Sequence, residues 1–187
     1  MKTLKLMIAV PLMAVFMLNA SAKSKSTGLY LTLQDYLNHK LSYGAGNDKI
    51  KVSGLFGTSS VVVTRDGKKQ VLSKKEIFGY SEDGEDFRFY NNSEYRIVSS
   101  KGLFIYTHTT LVQQGKGPKP TDLYYFSASL SDVVMPLTIT NVLTVYAKHP
   151  QFTYAVESFF KSDNELAAYD TYNKQFKLAY LYSQNVN

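Results

Sequence analysis

The chain has neither cysteine nor tryptophan, and arginine supplies only three of its 21 basic residues. Without cysteine there is no disulfide, no thiolate metal site, no cysteine nucleophile and no lipid-modified cysteine of the kind that anchors bacterial lipoproteins. A nucleic-acid-binding protein would concentrate its basic residues, with arginines placed to contact phosphates and bases. Here lysines are spread along the chain. We therefore expect no nucleic-acid partner.

Motifs for catalysis and cofactor binding are also missing. The three histidines, His39, His108 and His149, lie far apart and lack the spacing of a metal site. No G-x-S-x-G motif of a serine hydrolase is present. The acidic residues at 82–86 do not have the spacing of a calcium-binding loop. We predict no metal and no organic cofactor.

The first 22 residues have the three parts of a cleaved secretory signal. Lys2 and Lys5 form a basic start, an apolar run extends from Leu6 to Leu18, and Ala20-Ser21-Ala22 supplies small residues for a signal peptidase. The run is shorter than the roughly 20 residues of a membrane span, and a proline interrupts it. We therefore predict a signal peptide at residues 1–22.

The mature chain is then expected to start at Lys23 and to be periplasmic or extracellular. About 165 residues remain, which is enough for one domain with its own core. The net charge of +6 for the whole chain includes Lys2 and Lys5. The smaller surplus of the mature chain fits solubility and weak attraction to anionic surfaces. We predict a single domain at residues 23–187.

Residues from about 50 to 130 carry the signals of an antiparallel sheet. Asp66-Gly67 and the segment Glu82-Asp83-Gly84-Glu85 are typical of hairpin turns, because aspartate and glycine tolerate positive φ. Asn91-Asn92-Ser93 predicts a third turn. The segment at 115–120 is expected to be an exposed, mobile loop, since glycine and proline do not support a strand ladder there.

Helical patterns lie on both sides of this region. Thr32 and Asp35 form a capping-box pattern, which predicts a short helix at about 32–40. Beyond about residue 137 the apolar spacing becomes helical, and Pro150 suits the first turn of a helix. A second capping-box pattern at 162–165 predicts the start of a last helix that includes Tyr172. Strands followed by helices predict an α+β domain, in which C-terminal helices at about 137–183 pack on the sheet.

Several segments together resemble a group of known proteins. They are residues 28–43, Ile77-Phe78-Gly79-Tyr80, Tyr124-Tyr125-Phe126-Ser127 and Leu166-Ala167-Ala168-Tyr169-Asp170. The chain resembles small exported proteins of unknown function from Bacteroidetes-type bacteria. This resemblance implies a bacterial envelope setting, but it implies no activity and no site residues.

Two arginines among aromatic residues are the strongest candidates for ligand contacts. Arginine offers planar, bidentate donors that suit an acidic ligand, although nearby carboxylates could equally pair with Arg88 and Arg96. The candidate ligand-binding residues are Arg88, Arg96, Tyr90, Tyr95 and Tyr106. His108 lies on a predicted strand and is the one histidine considered as a general base, with a half-exposed structural residue as the alternative.

Three functions remain open at this point. The first is a non-enzymatic exported protein that binds a partner, such as an envelope protein or an acidic small ligand, through an aromatic sheet face. The second is an envelope hydrolase that uses His108 or the pair Arg88 and Arg96. The third is a structural subunit of an envelope assembly.

Overall fold

The computed structural model describes residues 27–44, 48–52, 58–100, 102–115 and 117–186. The predicted signal peptide at residues 1–22 and the predicted mature start at Lys23 lie outside these residues. In chain order the elements are β1 (Gly28–Tyr30), α1 (Leu33–Leu37), β2 (Lys49–Val52), β3 (Ser60–Arg65), β4 (Lys68–Ser73), β5 (Gly79–Glu82), β6 (Glu85–Tyr90), β7 (Ser93–Ser99), β8 (Phe104–Gln114), β9 (Gly117–Ser127), β10 (Met135–Pro136), α2 (Ile139–Val145), α3 (Pro150–Phe159), a 3-10 helix (Asp163–Ala167), β11 (Tyr169–Asp170), β12 (Gln175–Phe176) and α4 (Lys177–Asn185).

The strands form antiparallel sheets, and the C-terminal helices follow them, so the predicted α+β class is confirmed. Seven strands build a large sheet in the order β1-β5-β6-β7-β8-β9-β10. A second sheet has the order β2-β3-β4, and β11 and β12 pair by themselves. The second sheet is therefore inserted in sequence between β1 and its neighbour β5. The sequence pattern did not reveal that the strands at 50–130 divide between two sheets.

The three predicted hairpin turns are present. Asp66 and Gly67 have φ values of 51° and 75°, and Asp83 and Gly84 have 51° and 83°. Asn91 and Asn92 also have positive φ, of 48° and 65°. Each turn joins strands whose flanking residues pair directly, as Tyr90 does with Ser93. Two successive left-handed residues give the turn a twist that matches the twist of the strands.

Side chains of the large sheet alternate between two faces. One of them, here called the packed face, is covered by two layers. Tyr80 and Phe89 pack against Val61 and Val63 of the second sheet. Farther along the same face, the core residues of β8 and β9 pack against helices α2 to α4. The opposite face is covered in part by Tyr36 of α1 and by Leu130.

Gly79 allows β5 and β6 to approach each other closely. A Cβ atom at this position would lie 1.9 Å from the backbone oxygen of Phe87. Gly79 pairs with Arg88 in the sheet. A larger residue would therefore separate the two strands at the place where Arg88 is held.

The prediction of a loop at 115–120 is wrong, because β9 begins at Gly117 and includes Pro118 and Pro120. The backbone oxygen of Tyr124 accepts a hydrogen bond from Leu137 across the outer edge of β9. Both prolines lie an even number of residues from Tyr124, so their backbone nitrogens face the same edge as its backbone oxygen. Proline lacks an N–H group. At these two positions that group would point away from β8, so the hydrogen bonds between β8 and β9 are not weakened. The open edge is consequently poor in hydrogen-bond donors, which disfavours the addition of another strand.

Helix α1 begins as predicted but is shorter. The Thr32 hydroxyl accepts from the Asp35 amide, and the Asp35 carboxylate accepts from the Thr32 amide, which completes the capping box. The helix ends at Leu37, and His39 has a left-handed φ of 51°. The predicted junction at Pro150 is confirmed, since this proline occupies the first turn of α3.

The last helix starts at Lys177, and the expectation that it opens at 162–165 is wrong. Ser162 makes no side-chain cap, and a short 3-10 helix follows it. The Asp170 carboxylate then accepts hydrogen bonds from the backbone amides of Tyr172 and Asn173. Such local bonds compete with helical ones. They close the turn between β11 and β12 at the place where the sequence pattern suggested a helix.

An arginine clip joins the second sheet to the edge of the large sheet. Arg65 Nε donates to Asp48 at 2.8 Å, Arg65 Nη2 bonds the other carboxylate oxygen, and the guanidinium lies 4.5 Å from the centre of the Tyr43 ring. Tyr43 in turn bridges to Leu29 of β1. The bonds from Arg65 and from the Gly44 amide lower the pKa of Asp48 to about 2.

The stability contributed by Asp48 is expected to depend on pH. A carboxylate whose pKa is lower in the folded chain stabilises it fully above its ordinary pKa of 3.8 and loses this effect as the pH falls toward 2. Asp48→Asn should therefore be less stable than the wild type at neutral pH, and the difference should shrink on acidification. Urea unfolding at a series of pH values measures this. A difference that stays constant down to pH 2 would contradict it.

Candidate functional site

The pleat of the large sheet places the two candidate arginines on opposite faces. Arg88 pairs directly with Tyr95, and Phe87 pairs with Arg96. Directly paired residues of antiparallel strands share a face, and successive residues alternate. Arg96 therefore lies on the packed face, while Arg88 lies on the other. The two guanidinium groups cannot act together on one ligand.

Arg88 is buried within a network of neutral acceptors. Its Nη1 donates to the Tyr106 hydroxyl at 3.1 Å, and its Nη2 donates to the backbone oxygen of Asp132 at 2.8 Å. The Tyr106 hydroxyl lies 2.8 Å from the Ser127 hydroxyl. Arg88 is 5% exposed and Tyr106 is 0% exposed. Both residues therefore support the surface from beneath and fasten the chain after β9 to the sheet.

A group of half-buried rings lies on the same face as Arg88. We call Tyr90, Tyr95, His108 and Tyr125 the tyrosine cluster. Ring centres are 5.1 Å apart for Tyr95 and Tyr125 and 5.2 Å apart for Tyr95 and His108. Tyr90 lies 6.4 Å from Tyr95. All four are partly exposed. Burial, together with the neighbouring Tyr125 and Tyr90, raises the pKa of Tyr95 above its ordinary value.

His108 is held by the backbone. Its Nδ1 lies 2.9 Å from the backbone oxygen of Glu94. Within the described residues, no carboxylate forms a hydrogen bond with its ring. A general base is usually oriented by a third group, most often a carboxylate. This placement agrees with the alternative interpretation of His108 as a half-exposed structural residue of a strand.

The uncovered part of the packed face forms a cleft of about 580 Å³, called the polar cleft. Strands β6, β7, β8 and β9 form the floor of the cleft, and Lys74, which directly follows β4, forms one wall. The lining residues are Lys74, Glu85, Phe87, Asn92, Ser93, Glu94, Arg96, Thr107, His108, Thr109, Thr110, Leu111 and Asp122. The cleft is lined by charged and hydroxyl groups together with a few apolar side chains.

Arg96 is the central cation of the polar cleft. Its Nη1 lies 2.9 Å from Glu85, its Nη2 lies 3.5 Å from Asp122, and its Nε donates to the Thr107 hydroxyl at 3.1 Å. Thr109 donates to the other oxygen of Asp122. The sequence left open whether a nearby carboxylate pairs with this arginine, and in the structure Glu85 does so. Arg96 is the one member of the predicted ligand-binding set that lines the cleft.

A buried ion pair forms the inner end of the polar cleft. Lys74 has a side chain that is 1% exposed, and its Nζ lies 2.8 Å from Glu94. The Tyr80 hydroxyl donates to the second oxygen of Glu94 at 2.9 Å. Burial, together with this carboxylate, raises the pKa of Tyr80. Both oxygens of Glu94 are thus engaged, which fixes its orientation.

Other chemical possibilities have less geometric support. Within the part of the chain that the structure describes, no group of three or more His, Cys, Asp or Glu side chains could hold a metal ion. Ser158 and Lys161 have the spacing of an S-x-x-K motif. However, the Lys161 ammonium donates to the backbone oxygens of Glu157 and Ser158 at the end of α3. It therefore caps the helix.

The sequence contained a partial signal for the cleft. Polar residues alternate along β7 as Glu94 and Arg96, and along β8 as Thr107 and Thr109, which is typical of a strand face that meets water. Nothing in the sequence indicated that Lys74 would be buried, because a lysine that follows a strand is usually exposed. Its burial results from the covering sheet, which the pattern did not predict.

Comparison of the chain with protein-family models, with curated protein sequences and with solved structures finds no significant match.

Glu94→Gln is expected to destabilise the fold by roughly 3 kcal/mol, because it leaves the Lys74 ammonium buried without a carboxylate. Lys74→Met together with Glu94→Gln should recover part of this loss, since no unpaired charge remains. Urea unfolding followed by circular dichroism measures both. If the double variant loses as much as Glu94→Gln and the single variant Lys74→Met combined, the ion pair is not coupled as described.

Proposed function

We propose that the chain is an exported, non-enzymatic protein of the bacterial envelope that binds another protein through the tyrosine cluster. The observation that carries this is a set of partly exposed rings mounted over the buried network of Arg88, Tyr106 and Ser127. Tyrosine is enriched among residues that dominate binding energy, because it supplies a large rigid contact and a polar end.

The position of the cleft supports a protein partner of the tyrosine cluster more than a small ligand. The polar cleft lies on the packed face, and Tyr90, Tyr95 and Tyr125 do not line it. Small molecules are usually bound in concave sites, whereas proteins meet over flat ones. An acidic small ligand also has less support, since Arg96 and Lys74 already pair with carboxylates.

The alternative of an envelope hydrolase has less support from geometry. Arg88 and Arg96 lie on opposite faces, and Arg88 is buried. His108 is bonded to a backbone oxygen. Acid–base partners must come within hydrogen-bond reach of one substrate.

The proposal of export rests on the sequence of the first 22 residues. In the described part of the chain, no helix is long and apolar enough to cross a membrane.

Cleavage after Ala22 is expected when the full chain is expressed in a bacterial host. Ala22→Tyr should block it, because the peptidase accepts small residues on the N-terminal side of the cleaved bond. Ser21→Tyr is the matched control and should be processed, since the middle position of an A-x-A-like cleavage pattern accepts any residue. Mass spectrometry of the envelope fraction should find a chain starting at Lys23. A chain that keeps its first 22 residues and stays in the cytoplasm would contradict export.

Partner binding is expected to depend on Tyr95. A photo-crosslinking residue at position 123, which pairs with His108 and is 41% exposed as leucine, should capture one discrete protein in the source cells. The same residue at position 172, which is 90% exposed on a distant turn, should not. Tyr95→Ala should weaken binding of the captured protein at least about tenfold.

Tyr172→Ala is the matched control for that affinity, and circular dichroism checks that both variants are folded. Equal capture from positions 123 and 172, or an affinity unchanged by Tyr95→Ala, would contradict the proposed docking surface.

A further inference from the structure

The polar cleft opens on the packed face, whereas Tyr90, Tyr95 and Tyr125 of the proposed docking surface lie on the other face. His108, whose strand β8 forms part of the cleft floor, is the one member of the tyrosine cluster among the lining residues. The volume of the cleft, about 580 Å³, falls within the range of about 300–1,000 Å³ that is usual for small-molecule sites. It is thus large enough to hold a small molecule of several functional groups.

The charges of the polar cleft are nearly balanced. Lys74 pairs with Glu94, and Arg96 lies between Glu85 and Asp122. An anionic ligand would meet cations whose charge is already balanced by carboxylates. A cationic ligand would meet one surplus negative charge, but the guanidinium of Arg96 lies between the two carboxylates that carry it. Neither charge class finds a free counter-ion.

The pairing leaves adjacent donors and acceptors available to a ligand. A guanidinium has five N–H groups, and Arg96 uses one each for Thr107, Glu85 and Asp122. The Arg96 and Glu85 side chains are 34% and 52% exposed. One hydroxyl of a diol can accept from the guanidinium while its neighbour donates to the carboxylate, and the ion pair stays intact.

Apolar groups complete the lining. Phe87 and Leu111 line the same cleft as Arg96, and Leu111 is 52% exposed. The carbon-bound hydrogens of a sugar ring can pack against such side chains while its hydroxyls reach the ion pairs.

We propose that the polar cleft binds a neutral polyhydroxylated ligand, a sugar or a related polyol, through Arg96 and Glu85. This proposal does not depend on the protein partner of the opposite face.

An amide chemical-shift titration of the processed chain tests this. The probes are maltose, N,N′-diacetylchitobiose and inositol as neutral polyols, glucuronate as an acid and spermidine as a cation. At least one neutral probe should produce saturable shifts at the amides of Arg96, Thr107 and Asp122. Arg96→Gln and Glu85→Gln should each weaken this binding about tenfold, since each removes a charged hydrogen-bonding group.

Tyr172→Ala is the control variant, and it should leave the affinity for the polyol unchanged because Tyr172 is 90% exposed and does not line the cleft. Urea unfolding of Glu85→Gln, whose side chain is half exposed, separates loss of binding from loss of folding. The proposal is overturned if no neutral probe shifts the amides of the cleft, or if glucuronate or spermidine binds there more tightly than every neutral probe.

Discussion

Hydrogen bonding between β6, β7, β8 and β9 decides which side chains share a face of the large sheet, and both candidate surfaces depend on that register. A shift of one residue would exchange the two faces, since the side-chain period of a strand is two. Arg96 would then leave the polar cleft, and Tyr95 would enter it. The close approach of Gly79 to Phe87 favours the observed register at β5 and β6, because no side chain fits between them.

The parts of the fold that could be predicted from sequence are those that local chemistry decides. Asp66-Gly67 adopts positive φ because these residues tolerate it, and Thr32 caps α1 through a hydroxyl three residues from its partner amide. The division into two sheets and the hairpin at β11 and β12 were not predictable in the same way. The division into two sheets depends on pairing between segments that are distant along the chain. The hairpin depends on the Asp170 carboxylate, which closes a turn in a segment whose apolar spacing is typical of a helix.

The candidate site was predictable to a similar extent. Tyr90, Tyr95 and Arg88 share a face because they alternate around one turn, which the sequence already implies. Which of these side chains is exposed to solvent depends on the layers that cover the sheet. The burial of Arg88 and Tyr106 could therefore not be predicted from the sequence pattern. The same layers bury Lys74, which looked like an ordinary basic residue in the sequence, and leave Arg96, a candidate from the start, at the floor of a cleft.

The insertion of the second sheet between β1 and β5 has a consequence for the order of folding. Neighbouring strands from β5 to β7 are joined by two-residue turns, whereas β1 pairs with a strand about 50 residues away along the chain. The entropic cost of closing a loop grows with its length, and short hairpins form within about 1–10 μs. We therefore expect the central strands to associate first and β1 to be added to the finished edge afterwards.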